Sequence, residues 1–244
     1  MSFFSRSKAF HADYSMLVAD MHSHLIPGID DGAPDMEMAL ELIRSMTSFG
    51  YKKLITTPHI MSDMYPNDRE TILRKLDELR NAVQSAGIET EIQAAAEYFL
   101  DDHVAGLLKN NEPLLAISGN MVLVEFSMAQ SPMILKEIIY EMQMRGYQPV
   151  IAHPERYLYL EKEKFYYDEL KDLGCLFQLN LLALGNYYGK SAHKIAQYLV
   201  KKEYYDLVGS DLHHPRHIEA LNDPDLAGPL AKLLESGKIR NNQL

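Results

Sequence analysis

The chain carries a single cysteine, Cys175, in 244 residues, so it forms no intrachain disulfide, in keeping with a reducing cytoplasm. It has no apolar run near the ~20 residues needed to cross a bilayer, and no transmembrane segment is expected. It has no basic excess: the formal net charge is −10. That balance argues against general nucleic-acid binding, which uses cationic surface to neutralise phosphates. Arg6 and Lys8 lie near the N-terminus, but neither an apolar core nor a small-residue cleavage site follows, so no signal peptide is expected. Repeats, low-complexity tracts and long linkers are absent as well. What is present, 47% apolar and 24% charged residues, is ordinary for a globular protein of one sizeable domain.

Within that composition, strand and helix patterns alternate. Apolar runs at 16–19, 53–57, 121–125, 149–152, 176–180 and 206–210 read as strands, and 91–97 as another, although its alanines also suit a helix. Helical spacing covers 36–49, 68–86, 132–144 and 191–202. Gly50, Gly87 and Gly146 supply exits from helices, Asp68 an N-cap, and Ser131-Pro132 a cap with a first-turn proline. This rhythm predicts parallel strands, each followed by a crossover helix. About seven strands favour a barrel over an open sheet.

The ionisable residues gather at the strand ends. The first strand runs into Asp20-Met21-His22-Ser23-His24, where alternation sends His22 and His24 to one side. Others end at Thr56-Thr57-Pro58-His59, Glu97, Glu125, Ala152-His153-Pro154-Glu155-Arg156 and Ser210-Asp211-Leu212-His213. In a (β/α) barrel these ends converge on the face that carries the chemistry. Five imidazoles and four carboxylates, counting Asp31, are unfavourable to bury together unless cations neutralise them. Nine donors exceed the needs of one ion and suit two or three.

In order and spacing, these motifs resemble those of the polymerase-and-histidinol-phosphatase (PHP) superfamily. His22-Ser23-His24 leading into Ile29-Asp30-Asp31-Gly32, with His153-Pro154-Glu155-Arg156-Tyr157, is similar to the bacterial tyrosine phosphatases of capsular and exopolysaccharide synthesis. The resemblance spans roughly residues 17–213. It implies a distorted (β/α)7 TIM-like barrel and a trinuclear centre of manganese or iron, with zinc or magnesium also suited to such donors. It further implies that His22, His24, Asp31, His59, Glu97, Glu125, His153, Asp211 and His213 are ligands. The implied reaction is metal-assisted hydrolysis of phosphotyrosine, in which coordination lowers the pKa of a water towards neutrality. Arg156 is a candidate to fork two hydrogen bonds to phosphate, and Arg216 a second. The implied partner is a phosphotyrosine protein, a tyrosine kinase of polysaccharide synthesis.

Other readings stay open: hydrolysis of a small phosphomonoester such as histidinol phosphate, a nuclease, or a non-catalytic, metal-stabilised module that binds a phosphorylated kinase tail. Cysteine-based phosphatase chemistry does not, because an arginine is needed six residues after the thiolate and position 181 is Leu. Asp30 is expected to support its loop, His214 and His217 to neighbour the site, and His11, His103 and His193 to lie at the surface. Tyr65, Tyr98, Tyr157, Tyr187 and Tyr188 read as packing residues that could also edge a cleft. Residues 1–16 form an extension ahead of a domain at 17–244, since the family's His-x-His motif usually lies closer to the start.

Overall fold

A computed structural model describes residues 10–244. Its strands and helices alternate: β1 (Ala19–Asp20), α1 (Met36–Ser48), β2 (Lys53–Thr56), β3 (His59–Ile60), α2 (Arg69–Ser85), β4 (Glu91–Ala94), β5 (Glu97–Phe99), α3 (Asp102–Lys109), β6 (Met121–Glu125), α4 (Leu135–Met144), β7 (Gln148–Ile151), α5 (Phe165–Asp172), β8 (Leu176–Asn180), α6 (Gly189–Lys201), β9 (Leu207–Gly209), α7 (Pro215–Leu221) and α8 (Ala227–Leu234). All seven pairings between these strands are parallel. The orders are β1-β2-β4 and β3-β5-β6-β7-β8-β9.

Two strand positions are each broken in the middle. Pro58 has no N–H for the ladder and separates β2 from β3, while Ala95-Ala96 separates β4 from β5. Counting each broken pair once leaves seven strand positions. Last and first are joined by the parallel bridge Ser23↔Leu212, with Asp211 N–H donating to His22 C=O and His24 N–H to Leu212 C=O, both at 2.8 Å. The result is the distorted (β/α)7 barrel. Asp20 strengthens the same seam: its carboxyl accepts from the Ser210 N–H at 2.8 Å and the hydroxyl at 2.7 Å. Burial pushes its pKa up to about 7, against the pull of those two bonds.

Side chains divide between two layers. Met21, Ile55, Ala95, Leu123, Val150, Ala152 and Leu207 fill the barrel, and Leu244 packs beneath them. A larger layer lies between strands and helices. In α1 it takes Ala39, Leu42, Ile43 and Met46, spaced as one helical face. Each fully buried Leu, Ile or Met contributes roughly 1.5–3 kcal/mol relative to exposure. Asp68 caps α2 by accepting from the Thr71 N–H at 2.7 Å.

Three local expectations are corrected. The run at 16–19 is strand only at Ala19, where β1 begins: Ser15–Leu17 form a 3-10 turn, Met16 is exposed, and Val18 has φ 65. Ser131-Pro132 does not cap α4, whose N-cap is Ile134 without a side-chain bond. Residues 91–97 are two strands rather than one. Of the extension, residues 1–9 lie outside the described chain. Ala12 and Tyr14 are buried, and the Tyr14 hydroxyl donates to Leu221 C=O.

Candidate metal centre

The strand ends deliver the nine donor-bearing residues to one mouth of the barrel. His22 and His24 follow β1, Asp31 lies on the next loop, and His59 begins β3. Glu97 opens β5, Glu125 closes β6, His153 follows β7, and Asp211 and His213 follow β9. Their donor atoms form four overlapping groups, each within 4.8 Å: His22–His24–Asp211, His22–Glu97–His153, His59–Glu97–Glu125 and His24–Asp31–His59–His213. His153 (φ 32) and Asp211 (φ 52) sit in left-handed backbone, which is unfavourable for non-glycine residues and is held here by the surrounding ladder. Gly32 permits the Asp31 loop to lie on His24, where a Cβ would fall 2.2 Å from the His24 carbonyl oxygen.

Outer partners decide which imidazole nitrogens face the centre. His22 Nδ1 donates to Gln178 Oε1 at 2.9 Å, so Nε2 presents its lone pair. His24 Nδ1 donates to Asp30 Oδ2 at 2.8 Å, with the same consequence for its Nε2. His213 Nδ1 donates to Asp211 C=O at 2.8 Å. Metal-binding histidines typically show such partners.

The inward atoms are then crowded. His22 Nε2 lies 3.2 Å from Glu97 Oε2, 3.3 Å from Asp211 Oδ1 and 3.3 Å from His24 Nε2. Two lone-pair nitrogens at that distance repel unless something positive stands between them. Donors ~2.1 Å from a shared ion lie ~3.0–3.4 Å apart at right or tetrahedral angles. His59 Nδ1, Glu125 Oε1 and His153 Nδ1 are buried without hydrogen-bond partners. Spacing, donor chemistry and orphaned atoms all fit transition-metal ions.

The electrostatics agree. Burial opposes ionisation of Glu97 and Asp211, but His22 with His59 holds Glu97, and His22 with His213 holds Asp211, well below the carboxylate range. Burial likewise opposes a charged His24, yet Asp30, Asp211 and Glu97 raise its pKa well above normal. His59, similarly opposed by burial and by His24, is raised to about 10 by Glu97, Asp31 and Glu125. His153 is lowered, by burial and then by Arg156. The cluster therefore draws positive charge, as protons or as ions.

Arg156 stands at the rim. Its Nη1 donates to Asp211 Oδ2 at 2.8 Å, and its guanidinium lies 4.9 Å over the Tyr188 ring. Arg216 is exposed near the start of α7, and among the described residues it makes no ion pair or side-chain hydrogen bond. Tyr65 stacks on His59 at 5.3 Å, and Tyr187 and Tyr188 also edge the mouth. Tyr98 and Tyr157 are buried, their hydroxyls accepting from the Leu115 and Phe126 N–H groups. His217 is buried and its Nδ1 accepts from the His213 N–H at 3.2 Å, while His11, His103 and His193 lie away from the cluster. Cys175 is buried, and burial pushes its thiol up to about 12, so it offers no nucleophilic thiolate.

Three features of the surroundings carry no local sequence motif: Gln178, Asn180 and the partners of Glu155. Gln178 Oε1 also accepts from the His153 N–H at 3.1 Å. Asn180 Nδ2 donates to Asp211 Oδ2 at 3.0 Å. Glu155 accepts from the Asn180 N–H and the Tyr205 hydroxyl, and burial raises its pKa to about 7. The polar positions inside the apolar run at 176–180 were the one available signal.

Comparison with known proteins places this geometry in context. The family model for capsular polysaccharide synthesis proteins of the CpsB/CapC type matches residues 18–227. The tyrosine-protein phosphatase CpsB of Streptococcus pneumoniae is 30% identical over 201 residues, which cover 80% of this chain and 82% of that protein. The putative tyrosine-protein phosphatase CapC of Staphylococcus aureus is 28% identical over 196 residues, covering 80% and 77%. A crystal structure from work on the metal-dependent tyrosine phosphatases YwqE of Bacillus subtilis and CpsB of Streptococcus pneumoniae superimposes with TM-score 0.76 at 24% identity, covering 91% of this chain and 94% of that one. The lactonase Lmo2620 of Listeria monocytogenes shares the fold more loosely, with TM-score 0.55, 14% identity and coverage of 96% and 94%.

Proposed function

Because this chain belongs to the CpsB/CapC family of capsular polysaccharide synthesis proteins, we propose that it is a metal-dependent protein-tyrosine phosphatase. The observation that carries this reading is the convergence of five imidazoles and four carboxylates in four overlapping groups at one barrel mouth. We assign His22, His24, Asp31, His59, Glu97, Glu125, His153, Asp211 and His213 as ligands to two or three ions, with manganese or iron as the expected metals. Its relatives are named as tyrosine-protein phosphatases, which favours a phosphotyrosine protein as substrate. The kinase that drives polysaccharide synthesis in the cytoplasm is our assignment for that protein.

Such ions, when bound, supply Lewis acidity to phosphoryl oxygens and make water a stronger nucleophile at neutral pH. The chain's own residues do the rest. Gln178 and Asp30 fix the rings of His22 and His24, so their Nε2 atoms stay aimed inward. Arg156, braced by Asp211 and Tyr188, has further N–H groups at the rim to grip a phosphoryl oxygen as charge develops. Arg216, exposed in the first turn of α7, is our candidate for a second phosphate contact once substrate draws it in. Tyr65 and Tyr188 offer aromatic edges to a phenolic ester.

A substrate panel tests the assignment. Metal-loaded protein is offered a phosphotyrosine peptide, histidinol phosphate and single-stranded DNA. Turnover of the phosphotyrosine peptide with the highest kcat/KM is expected. Preference for histidinol phosphate overturns the substrate assignment, and tight peptide binding without phosphate release overturns catalysis itself.

A further inference from the structure

The mouth that holds the cluster is edged by apolar side chains that the fold does not cover. Among the described residues, eleven large apolar side chains are exposed, and five of them are Met64, Met128, Met133, Leu158 and Tyr187. These five stand on the loops that follow β3, β6, β7 and β8. In a parallel barrel such loops share one end, so the five side chains stand, on four of its seven connections, at the end where His59, Glu125, His153 and Asn180 lie.

The loops are tied to one another and to the site. The Tyr159 hydroxyl of the β7 loop donates to Ser127 C=O of the β6 loop at 3.2 Å. Tyr187 meets His217 edge-on at 5.3 Å. Met61 and Tyr65 pair across the turn that carries Met64, which is 64% exposed, and Met133 is fully exposed. Isolated exposed apolar residues are normal, but a ring of them around one polar centre marks a contact surface. Three of the five are methionines, whose flexible side chains adapt to varied partners.

We propose that this ring docks the segment of the substrate protein on either side of the phosphotyrosine, and that it selects segments with uncharged, apolar or aromatic neighbours. This rests on the phosphotyrosine reading of the centre. A small phosphoester reaches the donors without crossing the rim, whereas a protein substrate must lay its flanking residues over these loops. Asp63, exposed on the β3 loop beside Met64, disfavours acidic flanks.

The test compares metal-loaded wild type with the triple variant M128S/M133S/L158S, none of which belongs to the catalytic machinery. Substrates are p-nitrophenyl phosphate and two phosphotyrosine peptides of equal length, one flanked by Leu and Phe, the other by Asp and Glu. Wild type is expected to prefer the Leu/Phe peptide. In the variant, KM for that peptide rises about tenfold, the size expected for losing several partly buried apolar contacts. Its kcat, its p-nitrophenyl phosphate kinetics and its metal content stay unchanged. An unchanged peptide KM, an equal loss on both substrates, or wild-type preference for acidic flanks overturns the proposal. So does a wild-type dimer that the substitutions dissociate, since a second copy then covers the ring. Wild type that cleaves p-nitrophenyl phosphate but neither peptide overturns the underlying phosphotyrosine reading instead.

Discussion

His59 Nδ1 and Glu125 Oε1 lie 2.9 Å apart in the barrel mouth, and neither atom has a hydrogen-bond partner. A shared cation satisfies both. Glu125 enters only one of the four donor groups, with His59 and Glu97. Glu125→Ala is therefore expected to lose one ion per chain while the other groups remain loaded. Elemental analysis of protein purified without chelator reads this directly. Activity should fall by more than the ~10–100-fold typical of losing an outer partner.

Gln178 holds both the His22 ring and the His153 backbone through one oxygen, at 2.9 and 3.1 Å. Gln178→Leu removes that acceptor and frees His22 to take the wrong tautomer. Metal affinity or activity should drop ~10–100-fold. Gln178→Glu keeps an acceptor there and should retain most of both. Metal titration of the two variants separates loss of the acceptor from loss of the Gln178 Nε2 bond to Leu179 C=O, which both substitutions remove.

Proton competition gives a pH dependence of definite sign. In the ion-free protein, burial opposes the charged forms of His24 and His59, but neighbouring carboxylates win and raise both pKa values, that of His59 to about 10. Below those pKa values a proton occupies the nitrogen that an ion needs. Metal binding should thus release protons, and affinity should strengthen as pH rises from 6 to 8, by ~10-fold per unit for each proton displaced. Calorimetry in buffers of different ionisation enthalpy measures the released protons. Affinity independent of pH contradicts the assignment.

Asn241 secures the opposite end of the barrel. Its Nδ2 donates to Ala19 C=O at 2.9 Å and Val208 C=O at 2.6 Å, and its Oδ1 accepts from the Val208 N–H at 2.8 Å. Asn241→Ala leaves those buried backbone groups unpaired between β1 and β9. It should destabilise the chain by about 2–4 kcal/mol. Urea unfolding of the metal-free protein checks this without interference from bound ions.

The barrel and its donors were legible because the relevant signals are local. Each strand is a short apolar run, and His22, His24, His59, Glu97, Glu125 and His153 stand beside those runs in sequence. The breaks at Pro58 and Ala95-Ala96 were less visible, since each pair of half-strands shares one apolar pattern. Residues 16–18 are misleading because Met16, Leu17 and Val18 look like a strand, whereas the Tyr14–Phe49 backbone bond and the left-handed Val18 fold them into a turn ahead of β1. The outer partners were hidden for another reason. Gln178 meets His22 across 156 residues and Asn241 meets Ala19 across 222, and no local periodicity reports such contacts. Asp30, six residues from His24, could be read as a loop support because it is close.

The most direct test measures phosphate release from a phosphotyrosine peptide alongside metal content, for wild type, chelated wild type and His22→Ala. The expected result is two to three transition-metal ions per wild-type chain, with turnover abolished by chelation and restored by adding metal back. His22→Ala, which removes a donor shared by two groups, should lose both ions and turnover. Full turnover in the chelated protein, or in a His22→Ala protein stripped of metal, would contradict the account.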